Sequence, residues 1–294
     1  MRRHPVIIGI CLLVLIGMVF FMAVYGLGLF RGAGSFGLGE KIGVVPIEGI
    51  IGDAGEIVDQ IREFAEDKSI RAVVLRLDTP GGSVAPAQEI YQAVRELRKN
   101  KKVVVSMGAV AASGGYLIAV AADKIVANPG TITGSISAVM HYANVEELLR
   151  KVGVRSSVIK SGKFKDIGSP TRDMTAEERA LIQGIIDDIY DQFVNTISEN
   201  RNIPLSKILP LADGRIFTGR QAKELGLIDD LGGLQDAVLL ASRLSGIDEK
   251  PEIVYGERKQ KSLLKYLIRA MTSAVAQEIR EGAAESLGAQ YLLQ

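Results

Sequence analysis

The sequence predicts an α/β fold, with a mainly parallel sheet and helices on its faces. Three observations carry that expectation. From Lys41 to Tyr255, short β-rich runs alternate with segments whose apolar residues recur every three to four positions, the pattern of repeated β-α-β units. Glycine and proline clusters mark changes of period, as at Asp78-Thr79-Pro80-Gly81-Gly82, where such residues favour turns. The composition is globular, with 47% hydrophobic and 23% charged residues among 294, which excludes a disordered, collagenous or wholly coiled-coil chain.

The first element stands apart from that alternation. Residues 6–30 are 25 uncharged, mostly apolar positions preceded by Arg2 and Arg3. A helix of that length exceeds the roughly 30 Å hydrocarbon core of a bilayer. Basic residues at the extreme N-terminus favour keeping that end in the cytoplasm, so the rest of the chain is expected outside it. The run is longer than a usual signal-peptide core and lacks a clear small-x-small cleavage site. It therefore reads as a signal anchor over residues 1–30 and not as a cleaved leader. Residues 31–40 form a Gly-rich linker. Gly32, Gly34 and Gly37 have the spacing of a dinucleotide-binding loop, but no strand precedes them, so the segment reads as a tether.

The alternating elements follow. Residues 42–47 predict a strand and 55–66 a helix through Ile57, Ile61 and Phe64. A strand over 72–77 leads through the glycine turn into a helix over 84–97, with Ile90, Val94 and Leu97 on its apolar face. A strand at 103–107 precedes a small-residue helix over 111–121. Then come a strand at 124–127, a helix at 146–152, a strand at 156–159 and a long helix over 176–197. Residues 216–217, 219–225 and 227–228 predict a compact β-α-β element. A helix over 234–243 and a last strand at 252–255 complete the series. Beyond it, residues 256–294 predict an amphipathic helix and tail, with Leu264, Leu267, Ile268, Met271, Val275 and Ile279 on one stripe. That stripe could pack on its own domain, on another subunit or on a membrane surface.

Charge and residue counts narrow the chemistry. Thirty-five Lys and Arg against 34 Asp and Glu give a net charge of +1, without the basic footprint of a nucleic-acid binder. The lone Cys11 rules out an intrachain disulfide or a cysteine zinc site, and His4 and His141 are the only histidines. No metal and no cofactor are expected. Beyond the apolar run, a serine nucleophile would have His141 or a lysine as its base.

Three segments could supply such a site. In Met107-Gly108-Ala109-Val110-Ala111-Ala112-Ser113-Gly114-Gly115-Tyr116, a β run gives way to small residues, which would let another chain approach the Ser113 hydroxyl near a helix start. The alternative for Ser113 is a helix cap or a small packing residue. Gly81 and Gly82 follow a strand end, where backbone N–H groups can face an oxyanion or simply form a turn. Residues 160–170 contain Lys160, Lys163 and Lys165, and most lysines in such loops are solvated.

Taken in order, these segments resemble the signal peptide peptidase A family. The matching motifs are Pro80-Gly81-Gly82-Ser83, Ala111-Ala112-Ser113-Gly114-Gly115-Tyr116, Thr131-Ile132-Thr133-Gly134-Ser135-Ile136, and Lys165-Asp166 with Ser169-Pro170-Thr171-Arg172. Asp213-Gly214-Arg215-Ile216-Phe217-Thr218-Gly219, Ala222 and Gly226-Leu227-Ile228-Asp229 continue the likeness. It runs from about Lys41 to about Ser245 and suits the short, single-copy bacterial form. The resemblance implies a Clp protease/crotonase-like fold, a peptidase domain over 41–255, and a membrane-bound serine endopeptidase that degrades signal peptides left in the membrane. By residue match, Ser113 is the nucleophile, Lys165 the general base, Ser135 the serine that orients the lysine, and Gly82 and Gly114 the oxyanion donors. It also implies a homo-oligomeric ring or dome whose sites are shared between subunits, with hydrophobic peptides as substrates.

The implied chemistry has a physical requirement. An unperturbed lysine has a pKa of about 10.4, so a lysine base needs burial to favour its neutral form. An apolar site for hydrophobic peptides would provide that burial. The sequence departs from the family pattern at Ser137, where glycine is common, and at His141-Tyr142. Lys163, two positions from Lys165, competes for the base role, and in an extended segment both would point to one face. Other readings are the same chemistry on hydrophobic tails of membrane scaffold proteins, acyl-thioester binding, and a catalytically silent scaffold.

Overall fold

The computed structural model describes residues 40–247 and 250–256, together with residues 15 and 17–19. The chain divides into two compact units, Met1–Gly39 and Glu40–Gln294. In the first, the described residues are helical and exposed. No helix among the described residues is long and apolar enough to cross a membrane. The expected anchor and linker lie outside the described residues except for those four positions and Glu40, and so does the expected tail helix.

The second unit is built on a sheet of eight strands: β1 (Lys41–Glu48), β2 (Ile70–Thr79), β3 (Lys102–Ala112), β4 (Lys124–Ala127), β5 (Ile132–Gly134), β6 (Ile216–Thr218), β7 (Asp230–Leu231) and β8 (Glu252–Tyr255). Their order is β6-β5-β3-β2-β1-β8, with β4 beside the first half of β3 and β7 beside β4. Every pairing is parallel except β5 with β6. The mostly parallel α/β architecture agrees with the sequence.

Both faces of the sheet are covered, which explains the near-continuous apolar runs of β1 to β3. Val73, Leu75 and Leu77 of β2 and Val103, Val105 and Met107 of β3 point into the larger core. There they meet α1 (Gly55–Glu66), α2 (Val84–Arg98), α3 (Gly114–Ala119) and the inner end of α5 (Ala176–Arg201). The alternate residues Ala72, Val74 and Val104 meet Ala237, Val238 and Ala241 of α8 (Leu234–Ser245) on the other face. The larger of these side chains, valine, leucine and methionine, each contribute about 1.5–3 kcal/mol when fully buried. The remaining helices are α4 (Glu146–Lys151), α6 (Leu205–Ile208), followed by a 3₁₀ turn (Leu209–Leu211), and α7 (Gly219–Glu224).

Three sequence expectations need correction. The helix expected over 111–121 is instead a strand through Ala112, a sharp turn at Ser113, and then α3. Val110, Ala111 and Ala112 pair with Ile132, Thr133 and Gly134 of β5, and this cross-strand pairing overrides the helical preference of alanine. The strand expected at 156–159 is irregular and exposed. Its β-branched residues have no strand beside them among the described residues, and Ile159 is fully exposed. The strand expected at 227–228 forms three residues later as β7. Leu227 and Ile228 are instead buried in the turn before it, where the Leu227 carbonyl accepts the buried Tyr116 hydroxyl at 2.8 Å.

Candidate active site

The site lies at the carboxyl ends of β3 and β5, the usual place for ligands in open α/β sheets. Ala112 and Gly134 are partners in register, and the Ser113 amide donates to the Gly134 carbonyl at 2.9 Å. Ser113 and Ser135 therefore leave neighbouring strands side by side. Both have positive φ, 53° and 51°. Among described non-glycine residues only Asn202 shares this feature, and it ends α5 in the left-handed cap conformation. Ser113 has ψ of −121°, a sparsely populated combination that costs on the order of 1–3 kcal/mol. It precedes α3, but its side chain makes no capping bond. The helix-cap alternative is thus not realised.

The glycine turn after β2 packs directly against this serine. Gly81 has φ of +100°, and a Cβ there would fall 2.8 Å from the Gly114 nitrogen and 2.9 Å from the Ser113 Cβ. The Thr79 hydroxyl accepts from the Gly81 amide at 3.0 Å. Ile51 fastens the other side: its amide donates to the Gly81 carbonyl at 2.9 Å, and its carbonyl accepts from the Ser83 amide at 2.8 Å. A Cβ on Gly82 would lie 2.2 Å from that Ile51 oxygen, so only glycine fits. A Cβ on Gly114 would lie 3.6 Å from the Gly82 nitrogen, which puts the two backbones in close approach. Among the described residues, neither the Gly82 nor the Gly114 amide has a hydrogen-bond acceptor.

Ser113, Gly82 and Gly114 line a groove of about 1050 Å³. Val84, Leu117, Val139 and Phe193 give it apolar walls. Ser137 lines it too. Sequence reading missed the wall from α5, because Phe193 looks like any core residue on an amphipathic helix.

Ser135 is half-buried, and its amide donates to the Arg215 carbonyl at 2.8 Å. The Arg215 turn is held by Asp213, whose carboxylate accepts from the Arg215 side chain. Those bonds hold the Asp213 carboxyl low, at about 2.

Lys165 lies elsewhere. It is exposed, does not line the groove, and has no bond to Ser113 or Ser135 among the described residues. Its neighbours differ from it in one respect. Lys160 pairs with Asp166, and Lys163 pairs with Glu177. Of the three loop lysines only Lys165 has no acidic partner among the described residues. His141 is exposed and outside the groove. No cluster of three His, Cys, Asp or Glu that could hold a metal occurs among the described residues.

Comparison with known proteins adds to this geometry. The family profile described as Peptidase family S49 matches residues 95–248, and that of Clp protease matches residues 48–132. A Synechocystis protein named "Putative protease slr0021" is 45% identical over 210 residues, covering 71% of this chain and 76% of that protein. "Putative signal peptide peptidase SppA" of Enterococcus faecium is 35% identical over 213 residues, covering 68% and 62%. Among solved structures, the 1510-N membrane-bound stomatin-specific protease superposes with a TM-score of 0.51 at 18% identity, over 75% of this chain and 99% of that one. At that identity the likeness shows the fold alone.

Proposed function

The chain belongs to peptidase family S49 and is a protease; from that premise we propose that it is a membrane-anchored serine endopeptidase that degrades signal peptides remaining in the membrane. The observation that carries the proposal is Ser113. It is a serine in a strained backbone conformation that lines a groove with apolar walls, beside two amides without acceptors among the described residues.

The Ser113 Oγ attacks the scissile carbonyl carbon and gives its proton to the Lys165 Nζ. The Gly82 and Gly114 N–H groups hold the resulting oxyanion, where preorganised donors have their largest effect. Collapse breaks the C–N bond, and the leaving amine takes the proton from Lys165. A water molecule then attacks the acyl-enzyme, regenerating Ser113 and releasing the acid. Ser135 orients the lysine amine. The apolar groove walls select hydrophobic peptides.

Lys165 reaches Ser113 in this scheme as part of a homo-oligomer in which one subunit supplies the serine and its neighbour the lysine. Two features support that arrangement. Lys165 is exposed and unpaired within the described chain, and the segment before it displays Leu148, Val152, Val154, Val158 and Ile159, an apolar surface that a second copy would cover. Contact with the neighbour would supply the burial that a lysine base needs. The anchor over residues 1–30 holds the assembly at the membrane, with the catalytic domain outside the cytoplasm.

Incubation of the full chain with a synthetic signal peptide, followed by mass spectrometry, tests this reading. Cleavage is expected from the wild type and from neither Ser113→Ala nor Lys165→Ala. Equal cleavage by all three would refute the assigned dyad.

A further inference from the structure

The segment leading to Lys165 has no apolar anchorage, since residues 151–163 are exposed throughout, and the apolar residues beside the lysine, Phe164 and Ile167, are only half-buried. Its shape comes from charge. We propose that Arg172 is a positioning residue that sets Lys165 for proton transfer, a role that rests on the general-base reading of Lys165 given above.

Arg172 uses all five N–H donors of its guanidinium. Nε donates to the Asp166 Oδ2 at 2.9 Å. Nη1 donates to the Glu178 Oε2 at 2.8 Å and to the Asp173 carbonyl at 3.0 Å. Nη2 donates to the Glu178 Oε1 and to the Asp166 carbonyl, the latter at 3.2 Å. With every donor engaged inside the chain, Arg172 has none left for substrate. Asp166 directly follows Lys165, so both its carboxylate and its carbonyl are fixed one residue from the amine-bearing side chain.

The other end of the clamp is firm. Glu178 is 3% exposed. It closes the capping box of α5: its carboxylate accepts the Thr175 amide at 2.9 Å, and its amide donates to the Thr175 hydroxyl at 3.2 Å. The far end of the same 26-residue helix buries Phe193, Val194 and Ile197 in the core. An unbroken path therefore runs from the core through α5, Glu178 and Arg172 to the backbone beside Lys165. Lys160 tightens the loop from the opposite side, donating to the Lys163 carbonyl at 2.8 Å and pairing with Asp166.

The carboxylates stay charged under working conditions. Arg172 and the Thr175 amide hold Glu178 at about 2, and Arg172 with Lys160 holds Asp166 well below the ordinary carboxylate range. Ion pairs near the surface add little to global stability, whereas a bidentate arginine fork fixes geometry. Placement matters because a displacement of about 1 Å can cost on the order of 100-fold in rate.

The test uses the full, assembled chain and compares Arg172→Ala and Arg172→Lys with wild type and Lys165→Ala. For both arginine variants kcat on a hydrophobic peptide is expected to fall about 10- to 100-fold, with KM within about threefold. The pH–rate profile should change in both arginine variants as the amine loses its fixed position. Arg172→Lys should fall less than Arg172→Ala, since an ammonium can keep one carboxylate contact, although it cannot span both as the guanidinium does. Guanidinium at tens of millimolar should restore part of the activity to Arg172→Ala and none to Lys165→Ala. Wild-type kcat and pH profile in folded, assembled arginine variants would overturn the proposal. So would a loss explained wholly by fewer assembled molecules. Those results with an inactive Lys165→Ala would leave the dyad standing, whereas an active Lys165→Ala would refute the dyad and this proposal together.

Discussion

The two halves of the candidate site are built by opposite means. The Ser113 half sits on the ends of paired strands, locked by backbone bonds to Gly134 and Arg215 and by close approach of Gly81. The Lys165 half sits on an exposed arm shaped by ion pairs and side-chain hydrogen bonds. Packing can hold strain at a nucleophile, because the surrounding core fixes its backbone. An arm held by charge is suited to meeting a second molecule. The proposed mechanism divides the labour along the same line, with the serine and the two amides preformed in one chain and the lysine brought to them by assembly.

That contrast can be broken at several points. The largest effect is expected at Gly82. Gly82→Ala forces a Cβ into the Ile51 carbonyl, so kcat should fall at least about 100-fold, with a lowered melting temperature by calorimetry. Near-normal kinetics would refute the preformed oxyanion site. Ser135→Gly comes next. It removes a side chain from a positive-φ position, so stability should hold or rise by up to about 1 kcal/mol, while activity falls about tenfold or more through loss of the orienting hydroxyl. A joint fall of stability and activity would make Ser135 structural.

Acidification should separate the halves. The folded-state pKa values of Asp166 and Glu178 are depressed. Their stabilising contribution is therefore full above the unfolded carboxylate value of about 4 and is lost as pH falls towards the folded values, about 2 for Glu178. Hydrogen exchange should show the arm over residues 160–178 opening in that acid window before the sheet does, and unchanged between about pH 5 and 8. Opening of the arm near pH 6 would contradict the clamp. Lys163→Ala should have the smallest effect, within about threefold, because its partner is the exposed Glu177. A loss as large as that of Lys165→Ala would reverse the choice between the two lysines.

Much of this contrast could be read before the fold was known, and the unreadable part has a physical cause. The helix over 55–66 and the strands around 72–77 and 124–127 announce themselves, because periodic burial dictates their residues. The glycine turn and the small residues around Ser113 are also visible as motifs. Residues 111–112 mislead because alanine carries no pattern of its own, and β5 decides their conformation. Residues 156–159 have the composition of a strand but no neighbour to pair with among the described residues. The groove wall at Phe193 and the Arg172–Glu178 fork depend on contacts that spacing alone does not reveal.

Mixing two inactive variants tests the central claim most directly. Co-assembled Ser113→Ala and Lys165→Ala chains would each lack one member of the pair. If a site takes its serine from one subunit and its lysine from the next, random mixing should restore roughly a quarter of wild-type activity. A mixture as inactive as its components, in oligomers shown to contain both chains, would contradict a shared site.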